Sequence, residues 1–362
     1  MILEGELKQK AETALALSTL AYLPELARGG YHFVGEFLDS YLSATKAERP
    51  TTMFDGLCSD ERSGTVRAIR RMRCDPRICG LRIVYDSHSG DRFNSFCCVD
   101  GSREVFVIFG GNYRIGDYTS AYGAVSSWRD NFFGAADVRT AEQREALDFY
   151  DRALAAAKAS LPRGSALSVT VAGHSKGGNF AQYVTLFRSS VDRCFSFDGQ
   201  GFSEGFVSRY AEVIGRRSSR IISILPGRSI VGASLTPLYG AERLYVRAEL
   251  PGVRMTAIHC HIPTSLADEK GHLRQFEKGP SLMSRTVSLL SAGTVRTARK
   301  LPFINVRRGL GRIGAAIQYT FKEEPRRGLR ELRSPDALGL LGAALLRLPF
   351  DFLRAIFRSE EP

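Results

Sequence analysis

Six consecutive residues, Glu104-Val-Phe-Val-Ile-Phe109, form a compact apolar run that stops at Gly110-Gly111. A run this short and this apolar reads as a strand buried on both faces, and such a strand needs helices above and below its sheet. The residues that follow meet that need. They predict a long helix over Ala141–Leu161, a buried strand at Leu167–Ala172, a helix over Gly177–Phe187 and a strand at Cys194–Phe197. A helix over Glu204–Ile214 and strands at Arg220–Leu225 and Arg243–Ala248 complete the series. This alternation specifies an α/β fold with a mostly parallel central sheet and helices on both faces. Upstream, Leu81–Tyr85 and Phe93–Val99 flank the turn-rich Ser87-His-Ser-Gly-Asp91 and read as an antiparallel pair. The first 75 or so residues are helical in pattern: Leu15, Leu17, Leu20 and Leu23 recur in an Ala-rich segment that breaks at Pro24, and Val34–Ala44 and Thr65–Met72 read as two more helices.

We place the α/β domain at residues 1–294 and a C-terminal extension at 295–362. The extension holds 14 Lys+Arg against 7 Asp+Glu, so about +7 of the net charge of +12 lies there. Gly309-Leu-Gly-Arg-Ile-Gly314 and residues 326–333 read as loosely packed and solvent-facing. Asp336–Arg358 reads as an amphipathic helix with Arg347, Arg354 and Arg358 on a basic face and a kink or break at Pro349. That helix fits an anionic membrane surface and, equally, a place packed on the core. Charge gathered in one tail is not the basic face of a nucleic-acid binder, so no nucleic acid is expected as a partner. Glu4, Glu6, Lys8, Lys10 and Glu12 precede any apolar stretch, which is unlike a secretory signal. The longest apolar run, Ala337 to Leu346, ends at Arg347, short of the ~18–20 residues that span a bilayer. The expected location is the cytoplasm, with peripheral membrane contact at most. The seven cysteines read as reduced thiols. Cys97 and Cys98 point to opposite faces of a strand and do not readily chelate one ion, and no metal or other cofactor is expected.

Gly173-His-Ser-Lys-Gly-Gly178 contains G-x-S-x-G. With 35 glycines in 362 residues, chance supplies about 0.3 such matches, so context carries the weight. The motif follows a buried strand and opens a helix, the setting in which a strained turn exposes a nucleophilic hydroxyl at Ser175. A serine so placed needs a base and a group to orient that base. Three histidines follow it: His259, His261 and His272. His272 sits in the charged Asp-Glu-Lys-Gly-His stretch and reads as a surface residue. His259 and His261 lie just past the last strong strand, and His261 is preferred because Ile262-Pro263 stiffens its loop. Asp198 ends the strand after the elbow helix, at the sheet edge where ligands bind, and is the candidate acid. Backbone N–H groups of Lys176, Gly111 and Asn112 are the candidate oxyanion hole. The Lys176 side chain has three readings open: solvent, an anionic substrate group, or a nearby carboxylate.

With these residues in hand the chain resembles a bacterial family of α/β-hydrolase-fold proteins, a domain of unknown function distantly similar to class 3 lipases. The resemblance rests on Val107-Ile-Phe-Gly-Gly-Asn112, Trp128-Arg-Asp-Asn-Phe132, Gly173-His-Ser-Lys-Gly-Gly-Asn179 and Phe197-Asp-Gly-Gln-Gly-Phe202. Leu17-Ser-Thr-Leu-Ala-Tyr22, Ser229-Ile-Val-Gly232 and His261-Ile-Pro263 extend it, over roughly residues 15–270. It implies a lipase-like or esterase-like hydrolase with Ser175, Asp198 and His261 as a triad, a small-molecule or lipid ester as substrate, and structural roles for Trp128 and Asp130. Two departures stand out. The strand leading to the oxyanion loop usually ends Phe-Arg-Gly-Thr, and here reads Phe109-Gly-Gly-Asn112. Ser229-Ile-Val-Gly232 occupies the place of the class 3 lipase Asp-x-Val-Pro, so the acid must come from elsewhere, and Asp198 is similar in position to the acid of pancreatic-type lipases. A weakly active or inactive binding protein on the same fold, and an acyltransferase using the same triad, are the alternative readings.

Overall fold

The structure is a computed structural model that describes residues 3–23, 26, 30–44, 64–87, 94–111, 139–164, 166–298, 300, 305, 308–309, 312 and 325–344. Among the described residues eight strands form one sheet whose spatial order follows the chain: β1 (Arg82–Asp86), β2 (Ser95–Val99), β3 (Glu104–Phe109), β4 (Ser168–His174), β5 (Arg193–Phe197), β6 (Ile221–Pro226), β7 (Glu242–Val246) and β8 (Phe276–Glu277). β1–β2–β3 are antiparallel, β3 to β7 are parallel, and β8 pairs antiparallel with β7 at the edge. This is the α/β fold expected from the sequence, a mostly parallel central sheet with helices on both faces and the antiparallel start in place.

Period-two alternation along the strands builds two apolar layers. Phe106, Ile108, Ala172, Phe195, Phe197 and Ile224 face α1 (Gly5–Leu20), α2 (Val34–Ser43) and α3 (Thr65–Arg73). Val105, Val107, Phe109, Val171 and Cys194 face α4 (Ala141–Ser160) and α5 (Lys176–Phe187) on the other side. The N-terminal helices are therefore part of the main core. α1 starts at Gly5, well before the leucine pattern that announced it. Thr140 caps α4: its hydroxyl accepts from the Gln143 N–H, and the Gln143 side chain returns a bond to the Thr140 N–H.

Three expectations are corrected. The single helix over Glu204–Ile214 is two, α6 (Glu204–Arg209) and α7 (Ala211–Arg217). The break is at Tyr210, whose ring packs against Phe187 and Phe206 while its backbone sits at φ −108°, ψ 24°. Aromatic packing outweighs helical continuity there. The second correction concerns the C-terminal segment. Gly309 is buried rather than loosely packed: a Cβ on it would stand 2.5 Å from both the Asp336 carbonyl oxygen and Leu340 Cδ1, in the helix over residues 335–344. Third, most of residues 326–333 are helical, in α9 (Pro325–Leu332), with Arg326, Arg327, Leu329, Arg330 and Arg333 exposed. α8 (Leu282–Ala298) runs through residue 295 without interruption. Of the amphipathic helix expected over Asp336–Arg358, the part beyond residue 344, with Arg347 and Pro349, lies outside the described residues, as do Trp128 and Asp130. No helix among the described residues is long and apolar enough to cross a membrane.

Candidate active site

β4 ends at His174 and α5 begins at Lys176, so one residue makes the whole turn from strand to helix. Ser175 takes φ 60°, ψ −124°, a conformation that costs a non-glycine residue of order 1–3 kcal/mol. Close packing holds it there. The Ser175 N–H donates to the Phe197 carbonyl at 2.9 Å. A Cβ on Gly173 would come within 2.4 Å of the Gly177 carbonyl group, and one on Gly177 within 2.1 Å of the Phe109 carbonyl oxygen. The flanking glycines are therefore required by contact distance as well as by the turn.

The structure brings three of the sequence candidates into one line of hydrogen bonds. Ser175 Oγ lies 3.1 Å from His261 Nε2, and His261 Nδ1 lies 2.6 Å from Asp198 Oδ2. With a neutral imidazole protonated at Nδ1, the ring donates to the carboxylate and Nε2 accepts from the serine hydroxyl. Asp198 is fully buried, at φ 44° directly after β5. The other histidines stand apart: His259 Nδ1 bonds the Thr256 hydroxyl at 2.9 Å, and His272 Nδ1 meets Glu12 Oε2 at 3.2 Å. Cys260, next to His261, is kept as an unreactive thiol, because burial pushes its pKa up to about 11.

The loop after β6 fixes the acid, and sequence reasoning missed it. The Ser229 hydroxyl and the Gly232 N–H, the latter at 3.0 Å, both donate to Asp198 Oδ1, and the Ala233 N–H donates to Ser229 Oγ at 3.2 Å. A Cβ on Gly232 would sit 2.5 Å from that carboxylate oxygen, so only glycine lets the backbone approach so closely. The signal was present in Ser229-Ile-Val-Gly232: where the lipase pattern places an acid, this chain places the clamp on one.

A second layer surrounds the line. The Tyr22 hydroxyl and His174 Nδ1 are 2.6 Å apart, and the His174 ring lies 4.6 Å, centroid to centroid, from that of His261. Burial, and then the neighbouring His261 ring, hold the His174 imidazole well below its usual pKa. This has a consequence for stability. The unfolded chain takes up a proton at that ring near pH 6.5, whereas the folded chain does so only at much lower pH. Below about pH 6.5 the unfolded state thus binds more protons, and His174 is expected to cost up to about 1.4 kcal/mol of stability per pH unit of acidification. Urea midpoints at pH 7 and pH 5 should fall less in His174→Gln than in the wild type; an equal fall would assign the acid sensitivity elsewhere.

Lys176 resolves to the third of its readings. Its Nζ pairs with Glu142 Oε2 at 2.6 Å, with the two side chains only 8% and 10% exposed. The next residue, Gln143, donates to Asn179 Oδ1 at 3.0 Å, and Asn179 Nδ2 donates to the carbonyls of Gln200 and Gly201 at 3.2 and 3.0 Å. The first turn of α4 is thereby tied to the first turn of α5 and to the loop that follows Asp198. Lys176 and Gly177 occupy the first turn of α5, where backbone N–H groups have no acceptor within the helix. The end of β3 lies against that turn, since a Cβ on Gly177 would be 2.8 Å from the Gly110 carbonyl oxygen. Gly111 is buried beside the Tyr22 hydroxyl, and Asn112 lies outside the described residues.

The Mbeg1-like family matches residues 106–286, half of the chain, from β3 into the start of α8 and including Ser175, Asp198 and His261. The chain belongs to the Mbeg1-like family. No curated protein matches this Mbeg1-like chain. Among solved structures it is similar to a mutant form of MDLA from Penicillium cyclopium, at 14% identity and a TM-score of 0.38, over 69% of this chain and 83% of that one.

Proposed function

We propose that this Mbeg1-like protein is a serine hydrolase of carboxylic esters, lipase-like or esterase-like, working through an acyl-enzyme. One observation carries the reading: the unbroken line from Ser175 Oγ through His261 to a buried, doubly clamped Asp198. In this mechanism Ser175 Oγ attacks the ester carbonyl carbon as its proton passes to His261 Nε2. The carbonyl oxygen becomes an oxyanion, held by the Lys176 N–H and an N–H of the loop at Gly111 and Asn112. The tetrahedral adduct collapses, the C–O bond to the alcohol breaks, and the imidazolium returns the proton to the departing oxygen. Water then attacks the acyl-serine with His261 as base, releasing the carboxylic acid and restoring the hydroxyl. Asp198 holds the ring in the tautomer that leaves Nε2 free to accept.

A fluorophosphonate probe tests the central step, because it forms a stable phosphonyl adduct only with an activated serine. The wild type is expected to label and Ser175→Ala to remain unlabelled. A folded wild-type protein that takes up no probe would favour the reading in which the fold serves binding alone.

A further inference from the structure

A hollow of about 190 Å³ lies between β6, β7 and the first turns of α8, with Ser229 in its wall. Its polar wall is made by Ser229, Arg243, Tyr245, Ser284, Arg285 and Ser288. Arg243 is held in place: its Nη2 donates to the Gly232 carbonyl at 3.2 Å and its guanidinium lies 5.7 Å from the Tyr245 ring centroid. Neither Arg243 nor Arg285 has a carboxylate partner among the described residues. Two part-buried arginines thus line one small hollow, and an anion bound there would meet both. Guanidinium forks match the paired oxygens of a phosphate as well as those of a carboxylate.

The rim points to the source of that phosphate. Leu282 and Met283, at the start of α8, are 40% and 42% exposed, among the most exposed large apolar side chains described. Leu282, Arg285 and Leu289 follow one another at i, i+3 and i+7, so an exposed apolar side chain and the cation share one stripe of the helix. Apolar groups beside cations on one helical face are the pattern of a surface that rests at a lipid interface.

We propose that the β7–α8 hollow binds the phosphate of an anionic lipid headgroup, with Leu282 and Met283 entering the edge of the acyl region. Ser229 lines this hollow and its hydroxyl holds Asp198, so the two sites meet at one residue. The site does not depend on the hydrolase reading, and Ser175→Ala should bind as the wild type does.

Two measurements on the full chain test it. The first is co-sedimentation with phosphatidylcholine vesicles with and without phosphatidic acid. The second is the melting temperature in inorganic phosphate against chloride at equal ionic strength. Arg243→Gln with Arg285→Gln is expected to weaken binding to the anionic vesicles at least about tenfold and to abolish the phosphate-induced rise in melting temperature. Arg326→Gln with Arg330→Gln, on α9, removes the same charge elsewhere and should change vesicle binding by no more than about twofold. Native near-UV circular dichroism of both variants establishes that they are folded. Equal losses in the two double variants would overturn the proposal in favour of general charge attraction. Phosphate stabilisation that depends on the two arginines, without vesicle binding, would overturn the lipid source and assign the hollow to a free phosphate compound. A wild type that responds to neither overturns it outright.

Discussion

Replacing His261 with alanine is expected to lower kcat/KM for a short-chain p-nitrophenyl ester by at least ~10³-fold, and Ser175→Ala by a similar factor. The two losses should not add. Once the serine lacks a base, or the base a serine, the attack step is gone and the remaining rate comes from binding and the oxyanion hole alone. The double variant should therefore fall no further than either single one. Asp198→Asn is the more discriminating change. It keeps shape and volume, but its amide group offers no carboxylate to the imidazole and favours the tautomer with Nε2 protonated, which cannot take the serine proton. A loss of about 10³–10⁴-fold with little change in KM is expected. Ester turnover that survived all three substitutions would place the chemistry outside this line of residues.

The second large effect concerns stability. Glu142→Ala strips the partner from Lys176, leaving an ammonium group in a site that is 8% exposed and otherwise faces the Phe180 ring at 5.8 Å. Breaking a buried pair from one side costs about 3–5 kcal/mol, because the remaining charge keeps its desolvation penalty and loses its compensation. Removing both charges at once, as Glu142→Leu with Lys176→Met, should restore most of that loss. Urea unfolding of the three proteins checks the prediction. If Glu142→Ala lost less than about 1 kcal/mol, the pair would behave as a solvated surface bridge instead. Because Lys176 directly follows Ser175, the same variant should also loosen the first turn of α5.

The parts of this molecule that were legible in the sequence are those written in local pattern. The β3 run, the strand before Gly173 and the helix after it all follow from periodicity and glycine placement, and the family match falls on the same stretch. Ser175 and Asp198 could be read because each sits at the end of a recognisable strand, and His261 because little else remained downstream. The clamp on Asp198 was hidden because serine and glycine in a loop carry no pattern; their role exists only once β5 and β6 lie side by side. Tyr22 and His174 are 152 residues apart in the chain, and no spacing rule connects them. Glu142 is one acidic residue in the first turn of a helix, and only the packing of α4 on α5 makes it the partner of Lys176. β8, with two residues, is too short to leave a periodic signal, and its pairing with β7 comes from tertiary position alone.

The sheet's spatial order repeats its order in the chain, and this has a bearing on how the protein is made. A ribosome releases strands in a sequence that lets each join the edge left by the one before, so the sheet can extend as synthesis proceeds. Ser175, then Asp198, then the Ser229 loop take their places on that advancing edge. His261 follows Asp198 by 63 residues, after β7 has been added. A nascent chain therefore carries Ser175 and Asp198 before it carries the His261 that joins them, and a product truncated within that interval would hold the two without their link.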